Sequence, residues 1–405
     1  MDVTKRFLDY VSYSTASDEY SESVPSAEGQ RVLGAALAEE LRRIGMTAVE
    51  QDECGYVYAY LPASPGYEDL PDIGFIAHMD TSPAVSGENI CPAVVEYHGG
   101  DLVLKSGVVI SPREFPSLDL CKGQQLIVTD GTTLLGADDK AGIAEIVTAC
   151  EELLCHPEMP HRGVAVCFTP DEEIGRGTDH FDFSKFHAKA AYTVDGGELG
   201  EIEYENFNGA AATVTIHGVN IHPGSAKGRM KNACLIAGHL ITEMPAAETP
   251  ACTEGYEGFY HLCDMQGNES EATLHYIIRD HDREKFEARK AFLTDLVGRL
   301  NRTYGAGTLT LELRDSYYNM KEKILPHMEL IRNAEAAMRT AGVTPVIVPI
   351  RGGTDGARLS YEGLPCPNLS TGGINFHSIR EFIPIPAMEG MVQVLLHLAG
   401  PDNEM

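Results

Sequence analysis

The stretch Thr169-Pro170-Asp171-Glu172-Glu173-Ile174-Gly175 sets three acids in a row just after an apolar run, Val164 to Phe168. Such a run reads as a buried parallel strand, and its end is where open α/β sheets place ligand sites. Three adjacent carboxylates there repel one another unless a cation sits among them. One acid can then bind a metal while its neighbour stays free to carry protons, the pairing that metal-assisted hydrolysis requires. Other segments deliver complementary groups in similar settings. Ile73 to Ala77 runs into His78-Met79-Asp80, and Ala190 to Val194 runs into Asp195-Gly196-Gly197. Leu134 to Ala137 leads to Asp138-Asp139-Lys140 at a helix start, and Pro367 to Ser370 leads through Gly372-Gly373 to His377.

Zinc takes imidazole nitrogen and carboxylate oxygen readily, and a catalytic site keeps one position open for water. His78, Asp138, Glu173, Asp195 and His377 are the candidate ligands. Two zinc ions carry +4; Asp138, Asp195 and Glu173 supply −3, and one shared hydroxide closes the balance, whereas a single ion would be overfilled. The count favours two zinc ions per subunit, about 3.5–4 Å apart, sharing one carboxylate. Asp138, in a tight turn at a helix start, is the natural bridge. His78 and Asp195 complete one ion, and Glu173 with His377 the other. Glu172 is left as the free acid that takes the proton of the attacking water and delivers it to the leaving amine. Asp80, two residues beyond His78, points to the same side and holds the far imidazole nitrogen.

The elements that must position these groups follow from hydrophobic spacing. Leu33, Leu37, Leu41 and Ile44 mark an amphipathic helix over about 27–44, with Ser26 as its expected cap and Gly45 as its stop. Strands and helices alternate to about residue 205, including a helix from Lys140 to Leu154, as in an α/β layered domain. The stretch 92–130, rich in Gly and Pro, reads as strands with loops. Near residue 208 the pattern changes to strand, helix, two strands, helix and strand. These are Ala211–His217, Asn232–Glu243, Gly258–Met265, Ala272–Arg279, Asp282–Tyr304 and Thr308–Arg314, the ferredoxin-like order. After about 320 the α/β pattern resumes, with helices at Pro326–Thr340 and Ala387–Leu398 and a strand around Val346. His377 needs this return to lie beside His78. The chain therefore reads as a discontinuous catalytic domain, 1–207 and 318–405, with an inserted domain, 208–317.

The formal net charge of −29 argues against nucleic acid and anionic membranes as partners. No apolar run approaches the ~20 residues of a membrane span, and the cytoplasm is the expected compartment. The 10 cysteines show no C-x-x-C pair; Cys167 and Cys234, inside apolar runs, read as buried reduced thiols. His98, His156, His161, His180 and His187 lack a strand-end setting and read as surface or loop residues. Nucleophile elbow, P-loop and H-E-x-x-H motifs are missing from the sequence.

Taken together, these motifs carry a resemblance. His78-Met79-Asp80-Thr81, Gly136-Ala137-Asp138-Asp139-Lys140-Ala141-Gly142, Thr169 to Gly175, Thr193 to Gly197 and Gly372 to His377 resemble the two-zinc peptidase superfamily of aminoacylases and glutamate carboxypeptidases. Glu254 to Tyr260, His275 to Asp280, Asp315 to Met320 and Ile350 to Gly356 resemble its aminotripeptidase branch, the peptidase T family. The likeness spans nearly the whole chain. It implies the same ligands with Asp138 bridging, a cis peptide between Asp138 and Asp139, and tripeptide substrates cleaved at the N-terminal bond. It also implies a layered mixed-sheet α/β catalytic domain with a ferredoxin-like α+β lid that can serve a homodimer. His222 resembles the family histidine that reaches the oxygen of the reacting carbonyl, in several members from a second subunit. Arg279 and Arg351 are candidates for the terminal carboxylate, which Arg binds bidentately, and Asn206 is a further pocket-lining candidate. Gly224-Ser225-Ala226-Lys227 departs conservatively from the branch's Gly-Thr-Ala-Lys. The alternatives are a related dipeptidase, carboxypeptidase or deacylase and, in another class, a silent metal- or peptide-binding protein.

Overall fold

The computed structural model describes residues 1–401; the last four residues of the expected catalytic segment, 402–405, lie outside the described residues. The chain forms two compact units, one of Met1–Tyr204, Glu322–Val348 and the chain from Thr354 on, the other of Glu205–Lys321 with Pro349–Gly353.

The first unit is built on a mixed eight-stranded sheet. Its order is Thr47–Gln51, Val57–Leu61, Val164–Thr169, Ile73–His78, Ala191–Gly196, Asn368–Ser370, Glu201–Glu203 and Val346–Ile347. The four middle neighbours, from Val164–Thr169 to Asn368–Ser370, run parallel. Every residue of Ile73–His78 and Val164–Thr169 is buried, as a strand covered on both faces demands. Their carboxyl ends therefore meet at one edge of the sheet, and that edge holds the acids and histidines.

The helix Ala137–Cys155 lies on this sheet with Ile143, Ile146, Val147 and Cys150 buried. Gly142 is required there, since a Cβ would stand 2.0 Å from the Val194 carbonyl oxygen. The backbone of Asp138 and Asp139 is non-helical, and the peptide between them is cis. The first long helix, Glu28–Ile44, buries Leu33, Leu37 and Leu41 and ends at Gly45 with φ 109°. Ser26 is not its cap: Ala27 holds that position, and the Ser26 hydroxyl is taken by Asp171. Within 92–130, Ala93–Glu96 and Gln125–Val128 join Phe382–Pro384 in a three-stranded antiparallel sheet. A short helix, Ser117–Leu120, was not expected there.

The second unit is a four-stranded antiparallel sheet ordered Phe259–Gly267, Glu271–Asp280, Asn208–His217, Leu309–Tyr317. Helices Ala233–Glu243 and Arg283–Tyr304 cover one face, each started by a side-chain cap, Asn232 and Asp282. The strand order and the β-α-β-β-α-β succession make this unit ferredoxin-like. Cys234 corrects the buried reading, because it is exposed while Ala233, Ile236, Ala237 and Leu240 form the inward stripe. Cys167 is buried. Of the five histidines read as surface or loop, His161 is buried in a loop, its Nδ1 2.9 Å from the Arg162 carbonyl oxygen.

Candidate active site

His78 is the last residue of its strand, paired with Thr169 on one side, while its amide donates to Asp139 Oδ2. Its Nε2 lies 2.8 Å from Asp138 Oδ1 and 3.4 Å from Asp195 Oδ1. The other oxygen, Asp138 Oδ2, lies 2.9 Å from His377 Nε2, which is also 2.9 Å from Glu173 Oε1. One carboxylate thus turns a different oxygen to each imidazole. Ligand atoms of His78, Glu172 and Asp195 lie within 4.8 Å of one another, and so do those of His78, Asp138 and Glu173. The five residues predicted as ligands and the predicted base converge on one cluster.

The charges in the cluster do not balance. Burial pushes Glu172 well above the usual carboxylate range, and the Asp355 and Asp195 charges add to it. Burial raises Glu173 to about 6 and Asp195 to about 7. Hydrogen bonds to Asp138 and Glu173 raise His377 to about 11. Burial works to raise Asp138 too, but its bonds to His377 and His78 overcome it and hold the carboxyl well below its usual range. These shifts belong to buried, crowded carboxylates that face two imidazoles. A pair of divalent cations supplies the missing charge, so nitrogen and oxygen donors in this arrangement fit a two-metal centre.

Asp80 organises the cluster from below. Fully buried, it accepts the amide of Glu172 on Oδ1 at 3.0 Å and that of Glu173 on Oδ2 at 3.1 Å. His78 Nδ1 faces Asp80 as well, at 3.1 Å from its carbonyl oxygen and 3.3 Å from Oδ1. That contact turns Nε2 toward the other ligands.

Four supporting acids were missed as such by sequence reasoning. Asp171 stays out of the cluster although it heads the acid triplet. It turns back to accept from Ser26 N and Oγ and from Gln30 Nε2, with its own φ at 57°. Asp139 accepts the His78 amide at 3.0 Å. Asp355 accepts from Thr169 Oγ1 at 2.9 Å, while Arg358 on the same helix donates to the Gly175 carbonyl. Glu381 accepts four consecutive amides of the turn that carries Asp138. Asp171 and Asp139 adjoin predicted residues, and Asp355 lies in a motif already noted; only the acid four residues past His377 could have flagged Glu381.

The substrate-side candidates all belong to the second unit. His222 is exposed and accepts the Gly224 amide on Nδ1. The Arg279 guanidinium donates to the carbonyls of Ala210 and Ile278 and stacks over Tyr317. Arg351 donates to the carbonyls of Gly255, Glu257 and Thr253 and lies over Phe207 and Phe259. Asn206 differs from expectation. It is fully buried, and its side chain is used up on the backbone of Phe207, Tyr318 and Met320.

Comparison with known proteins bears on the fold and the family. Residues 204–308 match the peptidase dimerisation domain. The chain is 55% identical over 399 residues to peptidase T of Caldanaerobacter subterraneus subsp. tengcongensis, covering 98% of this chain and 97% of the relative. Its fold matches a tripeptidase from Staphylococcus aureus with a TM-score of 0.77 at 21% identity, over 98% of this chain and 96% of the other. It also matches the Bacillus subtilis YXEP protein, a dinuclear metal-binding peptidase of the M20 family, with a TM-score of 0.65 at 15% identity, over 98% and 96% of the chains. The layered sheet with its inserted ferredoxin-like unit is the fold of the M20 peptidases. Within that class, the chain belongs to the peptidase T family.

Proposed function

We propose that the protein is a dizinc aminopeptidase that removes the N-terminal residue of tripeptides. The observation that carries this reading is the division of Asp138, one oxygen toward His78 and the other toward His377. His78, Asp138 and Asp195 would hold one zinc ion, and Asp138, Glu173 and His377 the other. When bound, the pair supplies Lewis-acid polarisation of the scissile carbonyl and an acidified water.

The chain's own residues do the rest. Glu172, lodged beside Asp195 and His78, accepts the water's proton and passes it to the leaving amine nitrogen. Asp80 keeps the backbone of both glutamates in place. In the second unit, His222 is the donor for the developing oxyanion. Arg279 and Arg351 receive the peptide's terminal carboxylate; neither guanidinium has a carboxylate partner among the described residues. Asn206 acts at one remove, donating to the carbonyl of Phe207, over whose ring Arg351 lies.

The domain boundaries proposed are 1–207 with 318–405 for catalysis and 208–317 for the lid, through which two copies pair; the compact units differ in grouping 205–207, 318–321 and 349–353 with the lid. No helix among the described residues is long and apolar enough to cross a membrane. All 10 cysteines are free thiols, which suits the cytoplasm as the compartment. Hydrolysis of di-, tri- and tetrapeptides with free or blocked termini, with and without chelator, tests the reading. Tripeptides with a free amino terminus are cleaved fastest, and only with metal present. Preference for dipeptides, or for N-acylated amino acids, would overturn the specificity.

A further inference from the structure

The two halves of the cluster are built differently. His78 and Asp195 sit on adjacent parallel strands, so ladder hydrogen bonds fix their spacing. His377 stands on a loop, with φ at 57°, between the strands Asn368–Ser370 and Phe382–Pro384. It is also the most open of the donors, its side chain 44% exposed against 12% for Asp138 and 2% for His78. Some other contact must set the distance between the His377 loop and the turn that carries Asp138.

Glu381 makes that contact. It is 1% exposed and closes the His377 loop, where its amide donates to the Ser378 carbonyl and Ile374 pairs with Phe382. Its Oε2 accepts the amides of Leu135 at 2.7 Å and Gly136 at 3.1 Å. Its Oε1 accepts those of Ala137 at 2.7 Å and Asp138 at 3.2 Å. Four donors fill the acceptor capacity of an ionised carboxylate. The helix that begins there has Gly136 at its cap and no local side chain to serve its first amides. A local Ser, Asp or Asn would cap a helix as well; a residue from the His377 loop caps it and ties two ligand-bearing segments together.

We infer that Glu381 is a positioning residue that holds His377 against Asp138, and that binding of the cation shared by Glu173 and His377 depends on it. The inference rests on the two-cation reading above. Replacing Glu381 leaves His78 and Asp195 fixed on their strands and loosens the His377 loop against the turn of Asp138.

The test is titration of the metal-free full chain with Zn2+ by calorimetry and with Co2+ by visible absorption, comparing wild type, Glu381→Gln and Glu381→Asp, with His377→Ala as reference. Gln offers one acceptor oxygen where four amides converge; Asp keeps the charge but falls one methylene short. Wild type taking up fewer than two ions per chain would overturn the two-cation reading itself, apart from any effect of Glu381. Given two ions in wild type, the inference expects the first step in both variants to stay within about threefold of wild type. The second should weaken about 10–100-fold, as for loss of an outer partner of a metal ligand, following the His377→Ala pattern. The kcat lost at low zinc should return with excess zinc. Equal weakening of both steps, no weakening of either, or loss of far-UV circular dichroism in both variants would make Glu381 an ordinary structural cap and overturn the inference.

Discussion

Asp80→Asn weakens the support beneath the catalytic acids without replacing a metal ligand. The side chain is fully buried, and each oxygen serves one backbone amide, that of Glu172 at 3.0 Å and that of Glu173 at 3.1 Å. Asparagine keeps one acceptor and replaces the other by an NH2 group. Whichever way the amide turns, one backbone N–H faces another donor in a buried site. The loss is one hydrogen bond to a charged group, about 1.5–3 kcal/mol. At about 1.4 kcal/mol per tenfold, that is roughly a 10–100-fold effect. It should fall on kcat, because the displaced backbone carries Glu172, and a small misplacement of a reacting group alone can cost about 100-fold. KM should stay within about threefold, since substrate recognition is assigned to the second unit. Steady-state hydrolysis of a tripeptide at saturating zinc, with metal content measured on the same sample, reads both. A variant with kcat within about twofold of wild type would refute the claim that Asp80 positions the base.

Three further outcomes follow from the same geometry. Glu172→Gln should retain both metals by elemental analysis and lose about 100- to 10,000-fold in kcat, the range for removing a general acid–base group. Glu145 is fully buried on the helix Ala137–Cys155 with neither carboxyl oxygen hydrogen-bonded, and burial pushes its pKa well up. Glu145→Leu should therefore stabilise the fold by about 1–3 kcal/mol in denaturant melts, the cost of an unpartnered buried polar group. Burial, with the Glu201 and Asp195 charges, raises Glu203 from 4.5 to about 8. The native state then holds a proton that the unfolded chain releases, so the Glu203 contribution is full below about pH 4.5 and is lost as pH rises toward 8. Glu203→Gln should flatten the decline in melting temperature across that window; an unchanged slope would exclude Glu203 as its source.

Much of the site was legible because its residues sit where patterns change. His78, Asp195 and Glu173 each follow or end an apolar run, and runs buried on both faces leave strong marks in sequence. The ferredoxin-like succession was readable for the same reason, its strands alternating and its helices striped. What escaped was whatever depends on side chains meeting across long chain separations. Ser26 has the chemistry of a helix cap, yet Asp171 lies closer in space and takes its hydroxyl. Cys234 stands in an apolar run but on the outer face of its helix, which only the register settles. Asn206 is spent on backbone groups that come together only once the strand and the return segment meet. Glu381 reaches a turn some 245 positions earlier in the chain, and no local pattern records that reach.

The central claim is that one carboxylate serves two cations. Anomalous diffraction at the zinc edge from zinc-loaded crystals tests it most directly. The account predicts two peaks per chain, one beside His78 and Asp195, the other beside Glu173 and His377, with a different Asp138 oxygen on each. A single peak, or two peaks with Asp138 touching only one, would contradict it.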